Sequence, residues 1–272
     1  MSFGELLDET IADLSSKKAA FLSSLDEITT LVIGSSHGDY GFDPAKFPGS
    51  FNFCASSQDL KHSAMLYRFC ADQTPKIANL ILFYSVFSPG MYLDKTTEKA
   101  RCAVYKELFD QSARYADDEI NSAYEKIHGA LNGAASIKGR MGFVASNARH
   151  FFPLAYGAEK RALGHMKHNA RAGADIYLIK ILDMARTLGH KVTVVFPPVR
   201  SDYRSYLPRD VNELFAGIVE LKNNFDYPFE VANFFDDPIF LDEHFGDFDH
   251  LLPVGPGTAV VTEELAAAVR GG

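Results

Sequence analysis

Five short apolar runs punctuate this chain, and most of what lies between them has the spacing of helices. The runs are "TLVIGS" at 30–35, "FNFCA" at 51–55, "NLILFYSVF" at 79–87, "KVTVVFPP" at 191–198 and "FEVANFF" at 229–235. Near-continuous runs of this length predict strands buried on both faces. Residues 4–25 carry Leu6, Leu7, Ile11, Leu14, Ala19, Phe21 and Leu25, a spacing that predicts an amphipathic helix ahead of the first strand. Further helices are predicted over about 58–72, 94–129, 159–189 and 208–225, and over "GTAVVTEELAAAVR" after the last strand. The alternation predicts an α/β protein: three α/β/α layers around a five-stranded, mainly parallel, doubly wound sheet.

One interval breaks the rhythm. More than a hundred residues separate the third run from the fourth. They hold a charged helical stretch, "DKTTEKARCAVYKELFDQSARYADDEINSAYEKIHGAL", then a glycine-rich connection, "NGAASIKGRMGF". This surplus predicts a helical insertion over about 90–150, lying as a lid or substrate-selecting cap on the C-terminal edge of the sheet, within a single domain spanning 1–272. The alternative is a solvated hairpin joining two copies, so a homo-oligomer is compatible with the same stretch.

Composition narrows the function classes. With 47% hydrophobic residues the chain can bury a large core. Its net charge of -8, with Lys and Arg dispersed among more numerous carboxylates, argues against a nucleic-acid partner. Cys54, Cys70 and Cys102 show no metal-ligand spacing and cannot all pair, which fits a reducing compartment. The N-terminal segment lacks a basic stretch followed by a continuous apolar one, and no run approaches the ~18 apolar residues that span a bilayer. A cytoplasmic location without a transmembrane segment is expected, and no cofactor or metal is called for.

Two stretches carry candidate chemistry. The first run ends in "IGSSHG", and a sharp turn at a strand end is where open α/β sheets present reactive groups. It lacks the further glycines and the Lys of a phosphate-binding loop. The second stretch, "FFDDPIFLDEHFGDFDHLLPVGPG", is dense in acids: Asp236, Asp237, Asp242, Glu243, Asp247 and Asp249, with His244 and His250. Asp247 precedes His250 by three residues, a spacing that lets one turn hold a carboxylate against an imidazole and so orient it as a base. Asp249 is the competing acid, and Asp247 is preferred. In "HMKH", His165 and His168 share a helical face, where a surface or lid contact is favoured over metal ligation.

Taken together, "VIGSSHG" and "GDFDHLLPVG" resemble the SGNH, or GDSL-type, hydrolase superfamily. The resemblance implies a flavodoxin-like sheet with Ser36 as nucleophile, His250 as general base and Asp247 as orienting acid. Ser35 stands where commoner members have aspartate. The family builds its oxyanion hole from the N–H of the nucleophile, a backbone N–H after the second strand and an asparagine after the third. Here "FNFCASSQDL" stands at the second place, with Cys54 and Ser57 where glycines are usual, so Ser56 or Ser57 is the expected donor. At the third place "FYSVFSPG" has no asparagine, leaving the hydroxyl of Ser85 or Ser88 as substitute.

His37 and Asn52 are expected at the substrate, although a turn histidine also serves as a helix cap. Arg200 and Tyr203 of "FPPVRSDYRSYLP" offer a fork of donors and an aromatic face to an anionic or sugar group. Phe151, Phe152, Phe234 and Phe235 are expected in the core. The resemblance implies a serine acyl-ester hydrolase acting on O-acetyl groups of a carbohydrate, its partner being an acylated small molecule or carbohydrate. An O-acyltransferase of cell-surface polysaccharide biosynthesis and a catalytically weak binding or scaffold protein are the alternatives. If His250 is the base, the rate is expected to rise through its titration between about pH 5 and 8.

Overall fold

All five apolar runs enter one sheet in the computed structural model, which describes residues 2–129, 131, 141–143, 153–154, 156–170, 175–224 and 229–271. The strands are β1 (Thr30–Gly34), β2 (Ser50–Asn52), β3 (Asn79–Phe83), β4 (Lys191–Phe196) and β5 (Phe229–Asn233). Their order is β2-β1-β3-β4-β5, and every pairing is parallel. In this flavodoxin-like order the winding reverses between β1 and β3, which opens a crevice at the C-terminal ends of those strands.

The helices are α1 (Phe3–Ser23), α2 (Ser36–Gly41), α3 (Leu60–Gln73), α4 (Arg101–Phe109), α5 (Asp118–Ile127), α6 (Ala158–Asn169), α7 (Asp175–Leu188), α8 (Ser201–Arg204), α9 (Val211–Leu214), α10 (Ala216–Asn224) and α11 (Pro256–Gly271). Local chemistry sets several starts. Ser2 and Glu5 form a reciprocal capping box on α1, Asp59 accepts the His62 N–H at the head of α3, and Asp117 caps α5.

Strand side chains alternate between two apolar clusters, as the pleat requires. Leu31, Ile33, Leu80, Leu82, Val192 and Val194 pack with Leu14 and Phe21 of α1, Leu66 of α3 and Ile181 of α7. Val32, Ile81, Phe83 and Val195 face the other way, toward Phe42 and toward Val261 and Leu265 of α11. The result is the three-layer α/β/α arrangement.

The long third interval is described in part. Its first helical stretch is two helices, α4 and α5, broken near Asp110. Cys102, Ala103, Val104 and Tyr105 of α4 are all fully buried, and α4 packs on α1 and α5. A helix with so much apolar surface belongs in a layer of the core, while Thr96 and Glu98, just ahead of it, line a cavity with Ser36. The glycine-rich 132–140, and with it Phe151 and Phe152, lie outside the described residues, whereas Phe234 and Phe235 are buried as expected. The helix expected over 159–189 is described as α6 and α7, and the one over 208–225 as α9 and α10. The three cysteines are free and buried, and no described helix is long and apolar enough to cross a membrane.

Candidate active site

The serine turn is shaped by close packing. At the end of β1, Gly34 has φ +137, and a Cβ there would stand 2.7 Å from the Phe83 carbonyl oxygen. Only glycine fits both the conformation and the space. Ser35 then caps α2 in an extended conformation, and Ser36 is the first residue of that helix. Gly38 is equally constrained: a Cβ would meet Cys54 Sγ and, at 2.8 Å, the Phe83 ring.

Chain folding brings the acidic loop after β5 onto this turn. Ser36 Oγ lies 2.7 Å from His250 Nε2, and His250 Nδ1 lies 2.8 and 3.0 Å from the two oxygens of Asp247. Asp247 Oδ1 also accepts the backbone N–H of His250 at 2.9 Å and of Asp249 at 3.2 Å. The D-x-x-H spacing thus makes a side-chain turn that delivers the carboxylate to the imidazole. Burial pushes the His250 pKa down to about 4, against the pull of Asp249 and Asp247, so the ring is neutral and able to take a proton.

Asp249 is fully buried and takes a different part. Its nearest approach to His250 Nδ1 is 3.3 Å, longer than that of Asp247. It accepts from His37 Nε2 at 3.2 Å and from Arg161 Nε at 3.2 Å, and His165 Nδ1 stands 3.7 Å away. Burial raises its pKa, but the Arg161 guanidinium and the His250 and His37 rings outweigh that and hold the carboxyl well below the usual range. His165 is largely enclosed, which lowers its pKa to about 3, and its Nδ1 shares a hydrogen bond of 2.7 Å with the Tyr203 hydroxyl.

The ligand atoms of His37, Asp249 and His250 lie within 4.8 Å of one another, the one such grouping among the described residues that has metal-ligand spacing. Arg161 already neutralises the carboxylate at its centre, and a divalent cation would stand against that guanidinium.

The oxyanion expectations separate. Gln58 N–H bonds the Ala55 carbonyl, closing a turn in which Ser57 has φ +56. A positive φ at the third turn residue is what glycine usually supplies, which accounts for the glycine that the resemblance places there. The turn's own bond leaves the N–H groups of Ser56 and Ser57 outside it. Ser36 N–H sits in the first turn of α2, where no intrahelical acceptor exists. The Ser85 hydroxyl bonds His37 Nδ1 at 2.8 Å and Ser35 Oγ at 3.1 Å, while its N–H donates to Ser88 Oγ at 2.9 Å. Both polar groups are engaged within the protein, so Ser85 braces His37.

Four residues expected at the substrate are buried and bonded within the protein. His37 is 5% exposed, stacks on His250 with ring centres 4.8 Å apart, and links Ser85 to Asp249. Asn52 is fully buried; its amide donates to the Gly38 and Phe42 carbonyls and accepts the Cys54 N–H, tying the two strand-end loops together. Arg200, also fully buried, bonds Asp202 and the Pro153 carbonyl and lies over the Phe248 ring. Tyr203 holds His165.

What faces Ser36 is a cavity of about 230 Å³ shared with Ser57, Phe87, Thr96, Glu98 and three residues of α6: Arg161, His165 and His168. Those three follow i, i+4, i+7, one polar helix face that a periodicity reading of polar residues can find. Thr96 and Glu98 carry no such signal. Lys17 did: it stands in the apolar stripe of α1 with Leu14 and Phe21, and the structure buries it completely against Asp39 at 2.6 Å and the Cys54 carbonyl. No family model matches this chain, and no curated protein matches it either.

Proposed function

We propose that this chain is a serine acyl-ester hydrolase in which Ser36 is the nucleophile, His250 the general base and Asp247 the acid that orients it. The observation that carries the proposal is the unbroken path from Ser36 Oγ through His250 to Asp247, opening on a cavity. Ser36 Oγ attacks the ester carbonyl carbon as its proton passes to His250 Nε2. The oxyanion is held by the N–H groups of Ser36 and of Ser56 or Ser57. Collapse breaks the bond to the alcohol oxygen, which takes the proton from His250, and water then attacks the acyl-enzyme with His250 again as base.

The cavity supports a short acyl group. It falls below the ~300–1,000 Å³ of sites for larger ligands, and hydroxyl, imidazole and charged side chains dominate its wall. An O-acetylated carbohydrate fits that wall, and the SGNH resemblance points the same way. If a sugar hydroxyl replaces water in the second step, the same residues perform O-acyl transfer.

The engagement of Ser85 favours a second reading, a binding protein with little turnover, because the chain lacks the family's asparagine donor and the Ser85 hydroxyl is bonded to His37. Labelling with a fluorophosphonate probe separates the two. The acyl-ester reading expects covalent labelling of the wild type and none of Ser36→Ala. Absence of labelling and of p-nitrophenyl acetate turnover in the wild type would sink it.

A further inference from the structure

A second cavity, of about 410 Å³, shares no lining residue with the one at Ser36. It is a groove between α3 and α7, closed at one end by the loop that joins α4 to α5. Along α3, Lys61, Met65 and Arg68 recur at i, i+4, i+7, and along α7, Tyr177, Lys180 and Met184 at i, i+3, i+7. Each helix therefore turns one mixed face into the groove. Met65, Tyr177 and Met184 rest on the main apolar core, so the floor is apolar and, through its methionines, adaptable in shape.

The rim is cationic. Lys61 and Arg68 of α3, Lys180 of α7 and Arg114 of the closing loop surround the groove, and Asp110 is its one carboxylate. Asp110 is committed locally, since its Oδ1 accepts the N–H and O–H of Ser112. Lys61 lies over the Tyr115 ring at 4.1 Å, with Asp94 3.8 Å away, and Arg114 is held to the Ser112 carbonyl at 2.8 Å. Arg68 has no hydrogen bond or ion pair among the described residues, and Lys180 has only the Tyr177 ring, at 4.9 Å. In a chain of net charge -8, four cations around an apolar floor are a local reversal of sign. Surface cations are ordinarily dispersed by mutual repulsion, and the convergence here of four, of which Arg68, Arg114 and Lys180 have no ion pair among the described residues, is complementary to a negative group.

We propose that this groove is a binding site for a small amphiphilic anion, a molecule with an apolar body and one anionic head. The body lies along Met65, Tyr177 and Met184, and the head is held at the rim by Arg68 and Lys180. The site stands apart from the proposed acyl-ester chemistry and does not depend on it.

The probe is anilinonaphthalene sulfonate, an apolar bicyclic body carrying one sulfonate, titrated into the full chain and followed by fluorescence and calorimetry. The neutral N-phenylnaphthylamine, which keeps the body and lacks the charge, is the control. The expected result is one saturable site, with affinity for the sulfonate at least about ten-fold above that for the neutral compound. Affinity should fall by a similar factor in Arg68→Glu/Lys180→Glu, and fall further as salt screens the rim. Both substituted residues are exposed, so circular dichroism and the melting temperature should stay at wild-type values. Equal binding of the neutral compound, or of the sulfonate by the double variant, would overturn the proposal. So would full displacement by inorganic phosphate, which would make the groove a plain anion site.

Discussion

At the scale of single residues, the two aspartates of "DFDH" divide their labour. Asp247 grips His250 Nδ1 at the shorter distances, whereas Asp249 is spent on Arg161 and His37. Asp247→Asn is therefore expected to lower kcat for p-nitrophenyl acetate by about 10²-fold or more, and Asp249→Asn by much less, with its cost falling on stability. Ser36→Ala is expected to lower kcat/KM by about 10³-fold or more. Equal effects of the two Asn variants on kcat would reverse the assignment of the orienting acid. The pH profile also changes from its sequence-based expectation. Because burial takes His250 down to about 4, the rate should rise through that value and run level between about pH 5 and 8. An inflection near the ordinary histidine value of ~6.5 would instead mark an imidazole that water reaches freely.

At the scale of elements, the short helix α2 cannot hold itself in place. Six residues are too few for a stable helix in water, so its position is set from outside. Lys17 of α1 reaches through the core to Asp39 and the Cys54 carbonyl, and Asn52 bonds the Gly38 and Phe42 carbonyls in the last turn of the helix. Asp13 and Asp39 keep the buried ammonium charged against its desolvation. Lys17→Met removes the ammonium that bonds Asp39 and the Cys54 carbonyl in a buried site and is expected to cost about 3–5 kcal/mol, read from urea unfolding. Gly38→Ala forces a methyl group against Cys54 and Phe83 and is expected to cost about 1–3 kcal/mol. A Lys17→Met variant as stable as the wild type would show that the buried pair does not hold the turn.

At the scale of the whole molecule, two largely enclosed histidines tie stability to pH. His250 and His165 have folded pKa values of about 4 and about 3, below the ordinary value of ~6.5. Between those limits the unfolded chain binds more protons than the folded one. Stability is therefore complete above about pH 6.5 and is lost on acidification, by up to ~1.4 kcal/mol per pH unit for each histidine. Asp249, held low in the fold, adds loss in the same direction at still lower pH. Denaturant midpoints should fall between about pH 7 and 5, and less steeply in His165→Gln. A midpoint independent of pH over that range would show both rings already exposed.

The layered sheet was legible in sequence because strand burial and helix periodicity are local patterns, each written within some ten residues. Ser36, Asp247 and His250 were legible as candidates because they stand at element ends, where the chain order of an α/β sheet brings loops to one edge. The partition between reacting and bracing groups was not legible. His37, Asn52, Ser85, Arg200 and Tyr203 carry the side chains of a binding site, and only tertiary packing turned them into buried struts. The cavity wall of α6 and the cationic groove between α3 and α7 join residues about a hundred positions apart, and no local pattern encodes which faces will meet. Sequence by itself determined the elements, their order and the chemistry available at the strand ends. The tertiary structure decided which of those groups water and a substrate can reach, because exposure is a property of how distant surfaces close on one another.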